Sequence, residues 1–419
     1  MLEQYFVKPS TIDDIRASWF AGPIERYVEW LASQGYSAST IRRRVAVLRR
    51  FAEFAEDRGA QTVVAAGQLV DAFVAAWART YAKRRPGTAG RTFAKDTRVP
   101  IGQAVRFALS GAIKRQRTRS PFPFLDDAPG FFVYLREERG LKTATIEHYR
   151  HYLNRFATYL QRRGVESIGA LSPAALATFV IDNAPQLSCS GRRDLCGCAR
   201  VFLRYCYREG LVDRDLSAAV EMPQSYRLAS LPRAISWDEV RRMLQVIDQR
   251  TLRGRRDYAM LLLLISYGLR GHEVAALTLD DLDWKRERLQ IPQRKAGHWS
   301  VYPLAGVVGD AIIEYLKHGR PPTTDRHVFF RTVAPFQPIT AAAVSASAAL
   351  YLRKAGIHVY RAGSHTLRHT CVQRLVDAEL PLKTVGDYVG HRSPDSTAIY
   401  AKVALSALRE VALGDGEAL

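Results

Sequence analysis

Cysteine is scarce in this sequence, with five residues among 419. Cys189, Cys196, Cys198 and Cys206 lie in one segment, Cys371 stands far from them, and no pair has C-x-x-C spacing. An odd number does not suit a disulfide framework, and no histidine lies at ligand spacing from the cluster. We therefore expect reduced thiols in a cytoplasmic protein, and no metal site.

Long apolar runs are also missing. The longest, AMLLLLI at 259–265, suits a buried helix, because a membrane span needs about 20 consecutive apolar residues. The first ten residues are polar and mixed, unlike a signal peptide. We expect no membrane partner, and the length of the chain predicts more than one domain.

Acidic side chains are in deficit. The chain has 61 Lys and Arg against 41 Asp and Glu, a net charge of +20. Such a surplus favours a polyanionic partner, of which nucleic acid is the commonest, although a merely basic surface remains the alternative. Arginine dominates the surplus, and its guanidinium suits forked contacts with phosphate.

One helical pattern occurs twice. QGYSASTIRRRVAVLRRFAEFAEDRGA at 34–60 aligns with RGLKTATIEHYRHYLNRFATYLQRRGV at 139–165. Chance similarity of two amphipathic helices is the alternative, but the matching Gly and Thr residues outside the apolar stripe favour duplication. We predict two SAM-like helical modules at 1–120 and 121–222, the first being an extra DNA-binding or assembly module. Arginines on these modules that we expect to contact DNA are Arg42, Arg43, Arg50, Arg155, Arg192 and Arg193.

Basic segments join the modules. Lys and Arg crowd the stretch from 83 to 119, which is either a solvated linker or a path for a DNA backbone. An apolar piece at 99–113 predicts a last helix of the first module. A polar segment at 223–235 predicts a second linker.

The third domain is predicted at 236–402, followed by an apolar tail at 403–419 that either folds back or docks on a neighbouring copy. It begins at a capping box, with Ser236 as N-cap and Glu239 three residues later. Residues 288–304 predict a β-hairpin whose buried positions alternate as Leu289, Ile291, Val301 and Pro303, with Lys295 in its turn. Val328 to Phe330 predict a short third strand, and helices are expected at 308–318, 340–355 and 366–378.

Residues 364–400 gather candidate phosphate-binding groups before a single tyrosine. His365 and Arg368 are three apart and share a helix face. A second helix from Pro381 ends at Gly390, which favours a left-handed cap and sets His391 in the turn. Ser393-Pro394 then predicts the start of a third helix, which carries Tyr400.

These boxes resemble those of the tyrosine site-specific recombinases, the phage-integrase family. GLRGHEVAAL is similar to the family's G-L-R-x-x-E-L box, SHTLRHT to H-x-L-R-H-T, and VGHRSPDSTAIY to L-G-H-x-S-x-x-T-x-x-Y. RKAGHWSVYPL resembles the hairpin that carries the family's lysine. The resemblance implies a mainly α fold, in which two SAM-like helical DNA-binding modules precede an α+β catalytic domain with a small β-hairpin or sheet.

The resemblance also implies roles for the residues in these boxes. Arg270, Arg368 and His391 neutralise the phosphate, His365 acts as base, Lys295 protonates the leaving oxygen, Tyr400 is the nucleophile, and Glu273 orients Arg270 or His365. No cofactor, metal or ATP is implied, because built-in cations replace the metal and a 3′-phosphotyrosine retains the bond energy. Two departures stand out: His272, interpreted as a bystander, and a hairpin with a single lysine beside Arg294.

The implied function is cutting and rejoining of double-stranded DNA at specific recombination sites through a Holliday junction. Its partners are that DNA, a homotetramer on it and an accessory recombinase from the same mobile element. We expect a bacterial cytoplasmic, nucleoid-associated protein that serves integration or transposition. The alternatives are a catalytically silent DNA-binding regulator and a type IB topoisomerase-like relaxing enzyme.

Overall fold

The structure is a computed structural model that describes residues 1–84, 91–111, 122–165, 167–224, 234–292, 299–391 and 393–401. It divides into two compact units. One contains residues 1–115 together with 230–419, and the other contains residues 116–229.

The N-terminal module is entirely helical. Its helices are α1 (Pro9–Ala17), α2 (Ala21–Ser33), α3 (Ala38–Glu56), α4 (Val63–Gln68), α5 (Val70–Arg84) and α6 (Arg91–Ser110). The side chain of Ser37 accepts a hydrogen bond from the Thr40 amide and so starts α3. The 3.6-residue stripe of α3 from Ile41 to Ala55 is buried, as its period predicts. Helix α6 begins earlier than the predicted 99–113, so part of the basic stretch is helical.

The second unit repeats this design. Its helices are α7 (Phe131–Glu137), α8 (Thr143–Arg163), α9 (Pro173–Asn183) and α10 (Cys189–Arg208). The stripe of α10 from Leu195 to Tyr205 is buried in the core of this unit. Cys196, Cys198 and Cys206 belong to that core, Cys189 is exposed, and all are free thiols.

The packing of α3 and α8 is equivalent. In the first module Phe73 contacts Phe51 and Phe54, with ring centroids 5.5 and 5.2 Å apart. In the second, the matching Phe179 contacts Phe156 and Tyr159 at 4.8 and 5.3 Å. The glycine that follows each helix, Gly59 or Gly164, is left-handed in both. These shared contacts favour duplication over chance similarity.

The remaining elements form one mixed domain around a large apolar core. Its helices are α11 (Trp237–Gln245), α12 (Leu252–Tyr267), α13 (Gly271–Ala276), α14 (Gly306–His318), α15 (Ala341–Lys354), α16 (Ser364–Asp377), α17 (Leu382–Val389) and α18 (Asp395–Ala401). Its strands are β1 (Leu282–Asp283), β2 (Arg288–Ile291) and β3 (Ser300–Pro303). Ser236 and Glu239 form the expected capping box. The predicted helices are all present.

The sheet corrects two predictions. Leu289 pairs with Tyr302 in the antiparallel register, so Tyr302 shares its buried face, whereas Val301 is 55% exposed. The predicted burial of Val301 and Pro303 was therefore wrong by one residue. The third strand is β1, which pairs with β2 in the order β1-β2-β3. Val328, Phe329 and Phe330 are buried in the core, but among the described residues they form only an isolated bridge at Phe330.

Several predictions fall outside the described residues. They concern the hairpin turn with Arg294 and Lys295, most of the linkers at 114–125 and 223–235, and the tail from 403. Within the described part of the chain, no helix is long and apolar enough to cross a membrane. The same residues contain no cluster of side chains suited to hold a metal ion.

Candidate active site

The carboxyl end of α17 organises the site. Gly390 takes the left-handed conformation, φ 67°, so that its amide and that of His391 turn back to the carbonyls of Asp387 and Gly386. The next three carbonyls, of residues 388–390, point away from the helix and need other donors. Side chains from three different segments supply them. This helix end therefore draws separate parts of the sequence together.

Arg270 supplies one of these donors. It lies between α12 and α13, and its Nη2 donates to the Gly390 carbonyl at 2.8 Å. Its Nη1 donates to Glu273 Oε1 at 2.9 Å, and its backbone amide donates to Glu273 Oε2 at 2.7 Å. Glu273 is buried, so the arginine is held on one side by a carboxylate and on the other by a carbonyl. This contact supports the predicted orienting role of Glu273.

Arg368 supplies the second donor from α16. Its Nη2 donates to the Val389 carbonyl at 2.8 Å, and its Nη1 donates to the Gly268 carbonyl. Both acceptors are neutral, and Arg368 is buried. Tyr302 of β3 donates its hydroxyl to the Tyr388 carbonyl and so completes the set.

Gly268 makes the approach of α12 to this end possible. Its φ is 58°, and a Cβ at this position would lie 3.0 Å from Val389 Cγ1 and 3.2 Å from Cys371 Sγ. Any side chain would therefore push α12 away from α16 and α17. The glycine is needed for both its backbone conformation and its lack of volume.

His365 lies on the first turn of α16 and reaches the surface. Partial burial lowers the pKa of His365 below its usual value, and the positive charges of Arg368 and Arg270 lower it further. His272 contributes to the same effect, so this exposed residue lies beside the predicted base. A lowered pKa keeps the imidazole neutral near pH 7, in the form that accepts a proton.

His391 lies directly after the α17 cap. Its Nδ1 shares a hydrogen bond of 2.8 Å with Thr397 Oγ1 of α18. This contact fixes the plane of the imidazole, so the other ring nitrogen can face a ligand. Thr397 precedes Tyr400 by three residues, as the threonine of the T-x-x-Y part of the box does, so this spacing has a structural reason.

Tyr400 is buried, with 2% of its surface exposed. Its ring packs in a small cluster with Val372 and Val376 of α16 and Val385 and Val389 of α17. Burial raises the pKa of Tyr400 above its usual value, and the charge of Arg368 only partly offsets this. A phenol in this pocket stays protonated at neutral pH.

His369 is a site residue that the sequence reasoning missed. Its Nδ1 shares a hydrogen bond with the Tyr400 hydroxyl. The signal was present, because His369 follows His365 by four residues and so lies on the same side of α16. It is the second histidine of SHTLRHT, but only His365 and Arg368 were selected from that box.

The predicted catalytic residues thus fall into three groups. Arg270 and Arg368 share the end of α17 with His391, and His365 lies near both arginines. Tyr400 lies in the adjacent apolar pocket with its hydroxyl on His369. Lys295 lies outside the described residues.

The predicted DNA-contacting arginines differ in their surroundings. Arg42, Arg43 and Arg193 are exposed, and Arg50 is exposed above the Trp77 ring. Arg155 is half-buried in a cleft along α8. Arg192 donates its Nε to the carbonyls of Ala184 and Leu187, so that part of its guanidinium has a structural role.

Two family models match this chain. The phage integrase family matches residues 233–406, which contain the whole site. The phage integrase N-terminal SAM-like domain matches twice, at residues 4–59 and 129–210. The second match lies in the unit that contains α8, and the first includes its counterpart α3.

Similar proteins match this chain over longer segments than the family models do, in one case over nearly its whole length. Putative integrase/recombinase y4rF of Sinorhizobium fredii is 30% identical over 423 residues, which cover 99% of this chain and 95% of that protein. This chain belongs to the phage integrase family of tyrosine recombinases. Tyrosine recombinase XerD of Corynebacterium glutamicum is 29% identical over 303 residues, covering 68% of this family member and 95% of XerD.

Solved structures share the fold of this tyrosine recombinase. XerH bound to palindromic difH substrate in a post-cleavage complex has a TM-score of 0.55 at 16% identity, covering 81% of this chain and 94% of XerH. The Tn1549 transposon integrase with a circular intermediate DNA has a TM-score of 0.51 at 15% identity, covering 67% and 99%. The mainly α fold with a small sheet is thereby confirmed.

Proposed function

We propose that this tyrosine recombinase cuts and rejoins double-stranded DNA at specific sites, with Tyr400 as the nucleophile. One observation carries the proposal. The guanidinium groups of Arg270 and Arg368 are fixed at a single helix end, with His365 and His391 beside it, and the next helix carries the tyrosine. This set provides positive charge and hydrogen-bond donors for one phosphodiester.

The chemistry divides among these side chains. Tyr400 Oη attacks the phosphorus while His365 takes the phenolic proton, and the bond to the 5′-oxygen breaks. Lys295 protonates that oxygen, which leaves a 3′-phosphotyrosine and a free 5′-hydroxyl. Arg270, Arg368 and His391 stabilise the negative charge that builds on the non-bridging oxygens. Attack by a second 5′-hydroxyl reverses these steps and joins a new strand.

Tyr400 must first leave its pocket. In the structure the hydroxyl is buried on His369, where a phosphodiester cannot reach it. A shift of α18 is therefore part of the proposal, and binding of DNA or of a second copy would bias it. The hydrogen bonds of Arg270 to Gly390 and of Arg368 to Val389 do not involve α18, so its displacement does not itself break them.

The reaction as proposed uses neither metal nor ATP. Fixed cations take the place of a metal, and the phosphotyrosine keeps the energy of the phosphodiester. We further propose that two sites are brought together by a tetramer, with an accessory recombinase from the same element, and that the protein works in the cytoplasm on the nucleoid. The high net charge of +20 supports a DNA partner.

The test begins with a search for inverted or direct repeats in the DNA that flanks the coding gene, from which a nicked duplex is built. The short 5′-hydroxyl strand diffuses away after cleavage, so the wild-type protein should accumulate an adduct that survives denaturation. Tyr400→Phe should form none, whereas Tyr360→Phe, which alters a tyrosine that is 71% exposed, should form as much as wild type. The adduct should also form in EDTA without ATP.

Each rival has its own outcome. Absence of the wild-type adduct on these repeats would favour a silent DNA-binding regulator. Relaxation of a supercoiled plasmid that lacks the repeats would favour a topoisomerase-like enzyme. An adduct formed by Tyr400→Phe would show that another residue is the nucleophile.

A further inference from the structure

The N-terminal module contains a basic cleft away from the candidate active site. The cleft has a volume of about 560 Å³ and runs between α3, α5 and α6. Its lining combines cations with aromatic rings: Arg43, Arg44, Arg50, Trp77, Phe93 and Lys95. Asp96 is the one carboxylate among the lining residues. This surface suits an anion better than an apolar ligand.

Neutral groups hold two of these arginines in place. The guanidinium of Arg50 lies 4.5 Å from the centre of the Trp77 ring. Arg44 donates to Tyr27 Oη at 2.7 Å and to Gln103 Oε1 at 2.9 Å, and it lies 4.6 Å from the Tyr36 ring. Aromatic and neutral polar contacts orient a guanidinium without neutralising its charge. Because a ring contacts the face of a guanidinium, the in-plane N–H donors of Arg50 remain available for a phosphate, whereas Nη1 of Arg44 already donates to Tyr27 and Gln103.

Two other arginines of the same module are paired with carboxylates. Arg49, next to Arg50 on α3, pairs with Asp14 at 3.0 Å, and Arg98 of α6 pairs with Asp71 at 2.6 Å. Among the residues that the structure describes, Arg43 and Arg50 form no such salt bridge. The positive charges of Arg43 and Arg50 in the cleft are therefore not compensated by such a pair.

The second module has a related cleft on its equivalent helix. A cleft of about 420 Å³ along α8 includes His151 and Arg155, which correspond to Ala46 and Arg50 in the repeat. A stacked arginine is also repeated at equivalent positions. Arg58 lies 3.6 Å from the Phe54 ring, and Arg163 lies 5.6 Å from the Tyr159 ring. The duplication has kept the basic, aromatic face of this helix as well as its core.

We propose that the Arg43–Arg50 cleft of the N-terminal module binds the phosphate backbone of duplex DNA flanking the site at which Tyr400 acts. The inference rests on the proposed function for the identity of the DNA. It assigns the duplicated module a binding surface, formed by α3 and α6 with Trp77 as support for Arg50. Contacts to phosphates add affinity without reading bases.

The test compares full-length variants on mixed-sequence duplexes of about 20 and about 60 base pairs, since phosphate contacts do not need a specific sequence. The double variant Arg43→Gln with Arg50→Gln should lose at least about tenfold in affinity for the long duplex, with a smaller loss on the short one. The slope of log affinity against log salt should fall by about two, as expected for two lost phosphate contacts. Trp77→Leu should produce part of the same loss, because it removes the support of Arg50.

Arg49→Gln is the matched control. It removes the same charge from the same helix, but from a side chain that already has Asp14 as partner, and it should bind both duplexes as wild type does. Circular dichroism and thermal melting show whether each variant is folded. Wild-type affinity and salt slope in the double variant would overturn the inference, as would an equal loss in Arg49→Gln. Binding of the long duplex is read separately from the Tyr400 adduct, so failure here is distinguishable from failure of the proposed function.

Discussion

His369 holds Tyr400, the proposed nucleophile, in its pocket through a hydrogen bond. Removing it leaves the Tyr400 hydroxyl buried among valines without this partner, which costs about 1–3 kcal/mol. The cost falls on the pocketed state alone, since a tyrosine exposed to water regains its hydrogen bonds. The contact therefore bears on how often Tyr400 is available to DNA.

We expect His369→Leu to form the DNA adduct faster than wild type, by up to about tenfold for each 1.4 kcal/mol lost from the pocketed state. Thermal stability should fall slightly in the same variant. The rate on the nicked duplex measures the effect, and Tyr360→Phe, which alters an exposed tyrosine, serves again as control. Slower adduct formation by His369→Leu would instead assign His369 a part in the chemistry.

The lowered pKa of His365 predicts a pH profile. Its imidazole is the base when neutral, and its ordinary pKa is about 6.5. Since burial and nearby arginines lower that pKa, the rate of adduct formation should fall at acid pH with a midpoint below 6.5. His365→Gln should show a low rate without this acid limb. A midpoint above 6.5 in the wild type would contradict the assignment.

At the level of elements, the meeting of α12, α16 and α17 depends on Gly268. Gly268→Ala combines the cost of a left-handed alanine, about 1 kcal/mol, with the close contacts to Val389 and Cys371. Gly356→Ala has a similar φ of 70° but no atom within 4 Å of the added Cβ. The difference between the two variants therefore isolates the packing.

We expect Gly268→Ala to lower the free energy of unfolding by about 1–3 kcal/mol more than Gly356→Ala does. Urea unfolding of each variant, followed by a signal from the catalytic domain, measures this difference. Gly268→Ala should also weaken cleavage, because Gly268 provides a carbonyl for Arg368. Equal stability of the two variants would show that α12 adjusts without strain.

Sequence patterns predicted the helices of this domain well, because caps and apolar periods are local. The prediction of which β3 residues face the core was wrong, because that depends on pairing with another strand. Tyr302 faces the core because it pairs with Leu289, and such a register is not evident from an alternating V-Y-P segment alone. The burial of Tyr400 could not be predicted from the sequence either, because it depends on how α18 packs against α16 and α17.

At the scale of the whole molecule, the motif boxes located the site because its residues keep fixed spacings. The repeat likewise predicted two modules, which the aromatic contacts of Phe73 and Phe179 support. Which arginines face a ligand was harder to predict. Arg192 was chosen for its charge, yet its Nε is engaged by backbone carbonyls, which depends on the turn before α10.

The net charge of +20 predicts strongly salt-dependent DNA binding. If about six to ten phosphates are contacted, affinity should fall by about 10³ to 10⁵ between 50 and 200 mM salt. Fluorescence anisotropy with a labelled duplex measures this, and circular dichroism over the same range checks that the fold is unaffected. Affinity that does not change with salt would argue against a phosphate-dominated interface.

The carbonyl end of α17 affects how genetic data on this protein should be interpreted. Arg270 and Arg368 donate hydrogen bonds to the carbonyls at that helix end, so under the proposed mechanism each has both a catalytic and a structural role. An inactive alanine variant at either position would confound lost chemistry with a frayed helix and a misplaced His391. Only inactive variants whose unfolding is unchanged report on catalysis. Selection for folding alone would preserve both arginines, even in a descendant that no longer cuts DNA.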